Sequence, residues 1–200
     1  MNFTAQQLTS FMALATVMSV TPGPNNLMVL FSSVRFGATR TVGHIAGASF
    51  GSALMFLIVG LGLHGVFTSH LLIQDVMKYT GAGYIIYLSW KIMRDSGEIL
   101  EQEAQRPMTF TGAALFQWIN PKSWVMATVA VSTCLPVNFV FSDIAFYTVL
   151  FCAVSFPCVG IWAWFGDLLK RYLREAKLVR RLNLSCAILL VFSAISMTIS

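Results

Sequence analysis

From Thr41 to Gln74 the sequence contains no Asp, Glu, Lys or Arg, and that run limits what the chain can become more than any other feature. A helix on a soluble protein keeps a charged or polar face toward water. A charge-free run with a span from His44 to about Leu63 instead matches the roughly 20 apolar residues that cross a bilayer core. The whole chain agrees with it: 56% of residues are hydrophobic and 10% charged, against about 45–50% and about 25% in soluble domains. At about 20 residues per span, a chain of 200 residues accommodates six crossings.

The remaining spans follow from apolar length. Leu8 to Val34 is the first, and Leu71 to Met93 the third, with Asp75, Lys78 and Lys91 near its ends, where long side chains reach the interfaces. Residues 94–109 form a polar linker rich in Glu, closed by Arg106 and Pro107. Phe110 to Thr133 is the fourth span, and Leu135-Pro136-Val137-Asn138 turns the chain after it. Ile144 to Gly166 is the fifth, with Trp162 and Trp164 placed for an interfacial aromatic belt, and Asn183 to Ile199 the short sixth. No basic residue precedes the first apolar stretch, so it is expected to stay in the mature protein and not to act as a cleaved leader.

Two of these spans are interrupted at their centres. The first contains Thr21-Pro22-Gly23-Pro24-Asn25-Asn26, and the fourth contains Asn120-Pro121-Lys122. Proline deletes a backbone donor and clashes with the preceding turn, so each helix must break there. Irregular backbone at membrane depth survives only where protein or a polar cavity satisfies the freed groups. The alternative to a functional break is a kink that serves packing alone.

Topology follows from the basic residues. Eleven of the 13, namely Arg35, Arg40, Lys91, Arg94, Arg106, Lys170, Arg171, Arg174, Lys177, Arg180 and Arg181, fall in or beside the loops after spans one, three and five. The positive-inside rule puts those loops in the cytoplasm and both termini outside. The formal charge of +5 is thereby accounted for without nucleic acid, and the tract from Lys170 to Arg181 is expected to meet anionic lipid. With three spans per half, residues 1–93 and 110–200 cross in opposite senses. The expected fold is an all-α integral membrane protein of six transmembrane helices in two inverted three-helix repeats forming one domain. Paired interrupted helices in such halves point to a transport site near the midplane.

The motifs Thr21 to Asn26, Gly81-Ala82-Gly83-Tyr84 through Trp90-Lys91, and Gln117-Trp118-Ile119-Asn120-Pro121-Lys122 resemble the lysine-exporter and homoserine/threonine-resistance family of bacterial amino-acid exporters, over essentially the whole chain. The doubled Asn25-Asn26 is similar to the branch that exports cysteine and O-acetylserine. The resemblance implies proton-coupled efflux of amino acids or their derivatives across the bacterial cytoplasmic (inner) membrane, with no cofactor and no metal.

The residues support this reading on chemical grounds. An amino acid carries a carboxylate and an ammonium on one carbon, so its site needs both donors and acceptors. The helix restarting at Pro24, after Pro22 and Gly23, offers N–H groups and a positive dipole end to the carboxylate, and Lys122, beside Pro121, adds a full charge. Oxygens of Asn25, Asn26 and Asn120 can accept from the ammonium. Lys122 at mid-span costs about 2.5–3.5 kcal/mol to insert and must face a cavity or a partner; a structural cation bonded to freed carbonyls is the other reading, as interhelical glue is for the asparagines. Gln117 and Trp118 are assigned to packing. No Asp or Glu lies at mid-depth, which leaves Asp143 and Asp167 at span ends, Lys122, or the substrate itself to carry a coupled proton.

Other patterns carry less. Gly43, Gly47 and Gly51 recur at the small-xxx-small spacing and suit either an internal helix contact or a homodimer. Gly47-Ala48-Ser49-Phe50-Gly51 matches a nucleophile pattern without the strand and turn it needs, and Gly60, Gly62 and Gly65 match a nucleotide pattern without a preceding strand. The four cysteines show no CxxC pair and read as packing residues. His44, His64 and His70 are too scattered for a metal site. An intramembrane enzyme and a non-transporting membrane subunit are the alternatives to export.

Overall fold

A computed structural model describes residues 4–63, 71–94, 106–135, 140–172 and 176–199. Outside them lie much of the linker after residue 94, the turn at residues 136–138, His64, His70, Gly65 and Arg174, on all of which the sequence carries expectations. Among the described residues the chain is all helical: α1 (Ala5–Val20), α2 (Pro24–Phe36), α3 (Ala38–Ile58), α4 (Leu71–Met93), α5 (Phe110–Ile119), α6 (Pro121–Cys134), α7 (Phe141–Tyr172) and α8 (Ala176–Ile199). A π-helical stretch, Val59–Leu63, continues α3. Two helical stretches, Ala38–Gly62 and Phe141–Lys170, are each long and apolar enough to cross a membrane.

Both interruptions fall where the prolines require them. The residue before a proline is pushed out of the α region, and Thr21 (φ −59°, ψ 144°), Gly23 (φ −173°, ψ 172°) and Asn120 (φ −91°, ψ 107°) are all extended. Pro24 and Pro121 then open α2 and α6 at the first helical turn, where a missing N–H costs nothing. The halves contain 16 and 13 residues on one side and 10 and 14 on the other. None reaches the length needed to span alone, so each pair must work as one broken rod.

Helix ends differ most from the hydropathy reading in three places. α3 begins at Ala38, not His44, because Gly37 at φ 88° ends α2 and the Asp167 carboxylate accepts from Ala38 N at 3.4 Å. α7 runs on to Tyr172 and α8 starts at Ala176. Hydropathy reports where a helix leaves lipid; backbone hydrogen bonding continues into water.

The helices pack in a definite set of pairs. α1 and α2 lie on α7, α3 on both α5 and α6, α3 on α7, α4 on α8, and α1 meets α6. Smaller contacts join α2 to α8 and α4 to α5, and α2 packs on α3. An aromatic cluster fixes α1 between α3 and α7: Phe11 stands edge-on to Tyr147 at 4.7 Å and to Phe56 at 5.7 Å, and Phe56 stacks on Phe151. A second cluster, with Met28, Ile85, Phe116 and Leu190, ties α2, α4, α5 and α8 together.

Of the glycine stripe, two members act as expected. A Cβ on Gly51 would sit 2.6 Å from Ala114 O, and one on Gly47 would collide with the Phe110 carbonyl, so α3 and α5 touch backbone to backbone. Gly43 faces open space. Large apolar side chains point outward along several helices, Leu115, Val149 and Phe192 among them, the arrangement that a hydrocarbon solvent favours and water does not.

Candidate transport site

The first break leaves a run of carbonyls without helical partners, and nearly every one finds a donor. Val17 O takes Thr21 N (3.0 Å) and Met18 O takes the Thr21 hydroxyl (2.9 Å). Ser19 O and Thr21 O accept from Asn26 Nδ2 at 2.8 and 2.9 Å. Val20 O accepts from Trp162 Nε1 of α7 at 3.0 Å. Trp162 therefore turns inward to satisfy the break and does not stand in an interfacial belt, whereas Trp164 remains 62% exposed. Thr21 O also accepts from Lys122 Nζ at 2.6 Å, and Pro22 O from the same ammonium at 3.4 Å. The cation of the second break thus closes the first, across 101 residues of sequence.

A second bridge runs through Gln117, which is buried. Its Nε2 donates to Asn25 Oδ1 at 3.3 Å and to Ala113 O at 3.0 Å. Its Oε1 accepts from Ser123 Oγ (2.7 Å), Ser52 Oγ (3.3 Å) and Asn120 Nδ2 (3.4 Å). One amide therefore joins α2, α3, α5 and α6. Assigning Gln117 to packing missed this. The signal was available: a glutamine one turn before Asn120 in an apolar run has to spend its donors and acceptor somewhere.

Between the breaks lies a cavity of about 20 Å³, room for one water molecule and not for an amino acid. Of the site residues expected from sequence, Gly23, Asn25, Asn26, Asn120 and Lys122 line it, joined by Ser19, Ser52, Gln117 and Ser123. Pro22, Pro24 and Pro121 do not line it; they set the backbone that brings the others there. Ser52 and Ser123 are not legible as site residues in the sequence, because a serine in an apolar helix reads equally as a packing residue.

The cavity offers both hydrogen-bond donors and acceptors. Lys122 has three N–H donors, and the two carbonyls use two, leaving one. No side chain caps the start of α2, so its N–H groups and dipole end remain for an anion. Asn120 does cap α6, accepting from Lys122 N at 3.2 Å, and so has less to offer. The Ser19 hydroxyl is buried with no partner. A Cβ on Gly23 would lie 2.7 Å from Lys122 Cδ, so glycine is what lets the lysine reach across the break.

Comparison with known proteins shows which family the chain resembles. The family model described as LysE type translocator matches residues 16–200. The cysteine/O-acetylserine efflux protein of Escherichia coli strain K12 is 31% identical over 193 residues, covering 94% of this chain and 95% of the relative. The proteins of that name from Shigella flexneri and Shigella sonnei align to the same extent. No solved structure matches. Members of this family are membrane transporters and not enzymes, and the G-x-S-x-G match fits that, since it lies inside the unbroken helix α3. With the family model covering most of its length, the chain belongs to the LysE type translocators, a family of amino-acid efflux proteins.

Proposed function

We propose that this protein exports small neutral amino acids and their derivatives, cysteine and O-acetylserine foremost, from the cytoplasm across the bacterial inner membrane. The observation that carries the proposal is the pair of bridges, Lys122 to Thr21 and Pro22, and Gln117 to Asn25, which join two broken helices around one polar cavity. The substrate identity rests on the names of the relatives. In the bound state the carboxylate takes the open start of α2 and the third Lys122 donor, and the ammonium takes the oxygens of Asn25 and Ser19.

Six crossings in two inverted repeats, about 1–93 and 110–200, account for the packing. Exchanging α1/α2 with α5/α6, α3 with α7 and α4 with α8 turns the α1/α2–α7 pairing into the α3–α5/α6 pairing. The same exchange leaves α3–α7 and α4–α8 unchanged. Among the described residues, the α1–α6, α2–α3 and α4–α5 contacts have no counterpart of similar extent. Rocking of one half against the other would open the closed cavity alternately to each side, with a proton entering as substrate leaves. The arginine-rich ends face the cytoplasm and both termini face outward.

Proteoliposomes loaded with single labelled amino acids provide the test. Cysteine and O-acetylserine are expected to leave with saturable kinetics, to exchange against unlabelled substrate, and to leave faster when the opposite side is acidified. Absence of exchange with these and with threonine and homoserine would remove the proposal. Flux that never saturates would indicate a channel.

A further inference from the structure

A second cavity, of about 350 Å³, lies on the side that carries the basic residues and is large enough for an amino acid. It is formed by α2, α3, the second half of α4 and the segment entering α5, and its polar lining comes from Ser32, Arg35, His44, Tyr84, Tyr87 and Arg106. Arg106 is exposed and Arg35 half-buried, so the charge lies toward water. His44 is 1% exposed, and neither ring nitrogen has a partner. An imidazole buried with both nitrogens unpartnered by protein is costly to a purely structural core. A ligand that brings its own donor into the cavity removes the acceptor's share of that cost.

The two cavities are stacked along the same helices. On α3, His44 lines the larger and Ala48 the smaller, one turn apart on one face. On α2, Met28 lines the larger, and Asn25, about one turn earlier, the smaller. The larger cavity therefore adjoins the closed site on its cytoplasmic side. Its chemistry suits a zwitterion: guanidinium groups at one end for a carboxylate, and at the other the His44 imidazole, whose ring nitrogens are closed off in this structure and whose unprotonated nitrogen accepts from an ammonium once the ring turns toward the cavity. The Ser32 hydroxyl, 3.2 Å from Thr41 Oγ1, borders the same end.

We propose that this cavity is a cytoplasmic loading site for the amino-acid substrate, with the carboxylate held at Arg106 and Arg35 and the ammonium at His44 and Ser32, before the molecule passes to the cavity between the breaks. The proposal rests on the export reading given above. Loading and transport separate kinetically: residues of the loading site set the KM for substrate on the cytoplasmic side, and residues of the closed site set the turnover.

The test uses the full chain in proteoliposomes with L-cysteine, kept reduced, presented to the cytoplasmic face. Arg106→Gln is expected to raise KM about tenfold, the size of one lost charged hydrogen bond, while kcat changes less than about twofold on the same scale. Arg40→Gln, an exposed arginine on the same side that does not line the cavity, is expected to leave both unchanged. His44→Phe, which keeps a ring without an acceptor, should raise KM as Arg106→Gln does, and His44→Gln, which keeps an acceptor, should restore most of it. A packing role for His44 predicts the reverse order. Wild-type KM in both Arg106→Gln and His44→Phe overturns the loading site and leaves export standing. Should the His44 variants fail to fold, the surface substitution Arg106→Gln decides alone. Failure of the wild-type protein to move cysteine overturns the export of cysteine and the loading site together.

Discussion

Placing a single methyl group on Gly51 is expected to unseat α5 from α3 and with it the second broken rod. The Cβ would meet Ala114 O at 2.6 Å and Ala114 Cα at 2.7 Å, and backbone cannot turn aside as a side chain can. Overpacking of this kind costs about 1–3 kcal/mol where side chains yield, and more where they do not, so Gly51→Ala should lose about 3 kcal/mol or more. Gly47→Ala meets the Phe110 carbonyl in the same way and should behave alike. Gly43→Ala, in the same stripe but facing open space, should be neutral or gain the roughly 0.5–1 kcal/mol that alanine brings to a helix interior. Thermal unfolding in detergent checks the order, with Gly43→Ala at or above wild type and the other two well below it. Equal effects at all three positions would mean that the α3–α5 contact is not what the stripe serves.

The second large effect is expected at Lys122. Lys122→Met keeps the length of the side chain and removes the ammonium that bonds Thr21 O and Pro22 O. Thr21 O still has Asn26 Nδ2, so the break remains partly satisfied and the protein should fold. The loss should amount to about 1–3 kcal/mol for the orphaned carbonyl. Transport should suffer far more, because the variant loses both the latch between the two halves and the cation facing the carboxylate. A fall of about 100-fold in initial rate per reconstituted protein corresponds to losing one or two charged hydrogen bonds. Normal rates from a folded Lys122→Met protein would take Lys122 out of the transport cycle and leave it a structural cation.

Of the two readings that the sequence holds open for Lys122, the bonds to freed carbonyls are seen, and the substrate ligand is the proposal. Two of its donors are on carbonyls, one is left over, and the residue lines the cavity. A span centre says that a lysine needs company, but only the fold says whose. The same limit applies to Asn25 and Gln117, 92 residues apart in sequence, whose contact depends on α2 and α5 crossing. The breaks themselves were fully legible, because Pro22, Pro24 and Pro121 act on their own neighbours and need no tertiary structure. Apolar length gave the core of each long helix, whereas the extensions of α7 to Tyr172 and α8 back to Ala176 lie beyond the apolar segments, where hydropathy has nothing to report. Trp162 shows the remaining difficulty. A tryptophan near a span end suits an interface, yet its indole N–H was needed at Val20 O. His44 was passed over for a related reason: one histidine in an apolar helix says nothing until its nitrogens are seen to lack partners.

The central claim is that substrate occupies the cavity between the two broken helices. Ser52 lines that cavity from α3, outside both breaks, and cysteine is nearly its size. In a protein whose native Cys134, Cys152, Cys158 and Cys186 are replaced by alanine or serine, Ser52→Cys gives a thiol that a small methanethiosulfonate reagent reaches only when the cavity opens. The account predicts labelling from either side of the membrane, slowed several-fold by saturating O-acetylserine and unaffected by an amino acid that is not transported. Labelling that substrate does not slow, in a protein that still transports, would show that the amino acid takes another path.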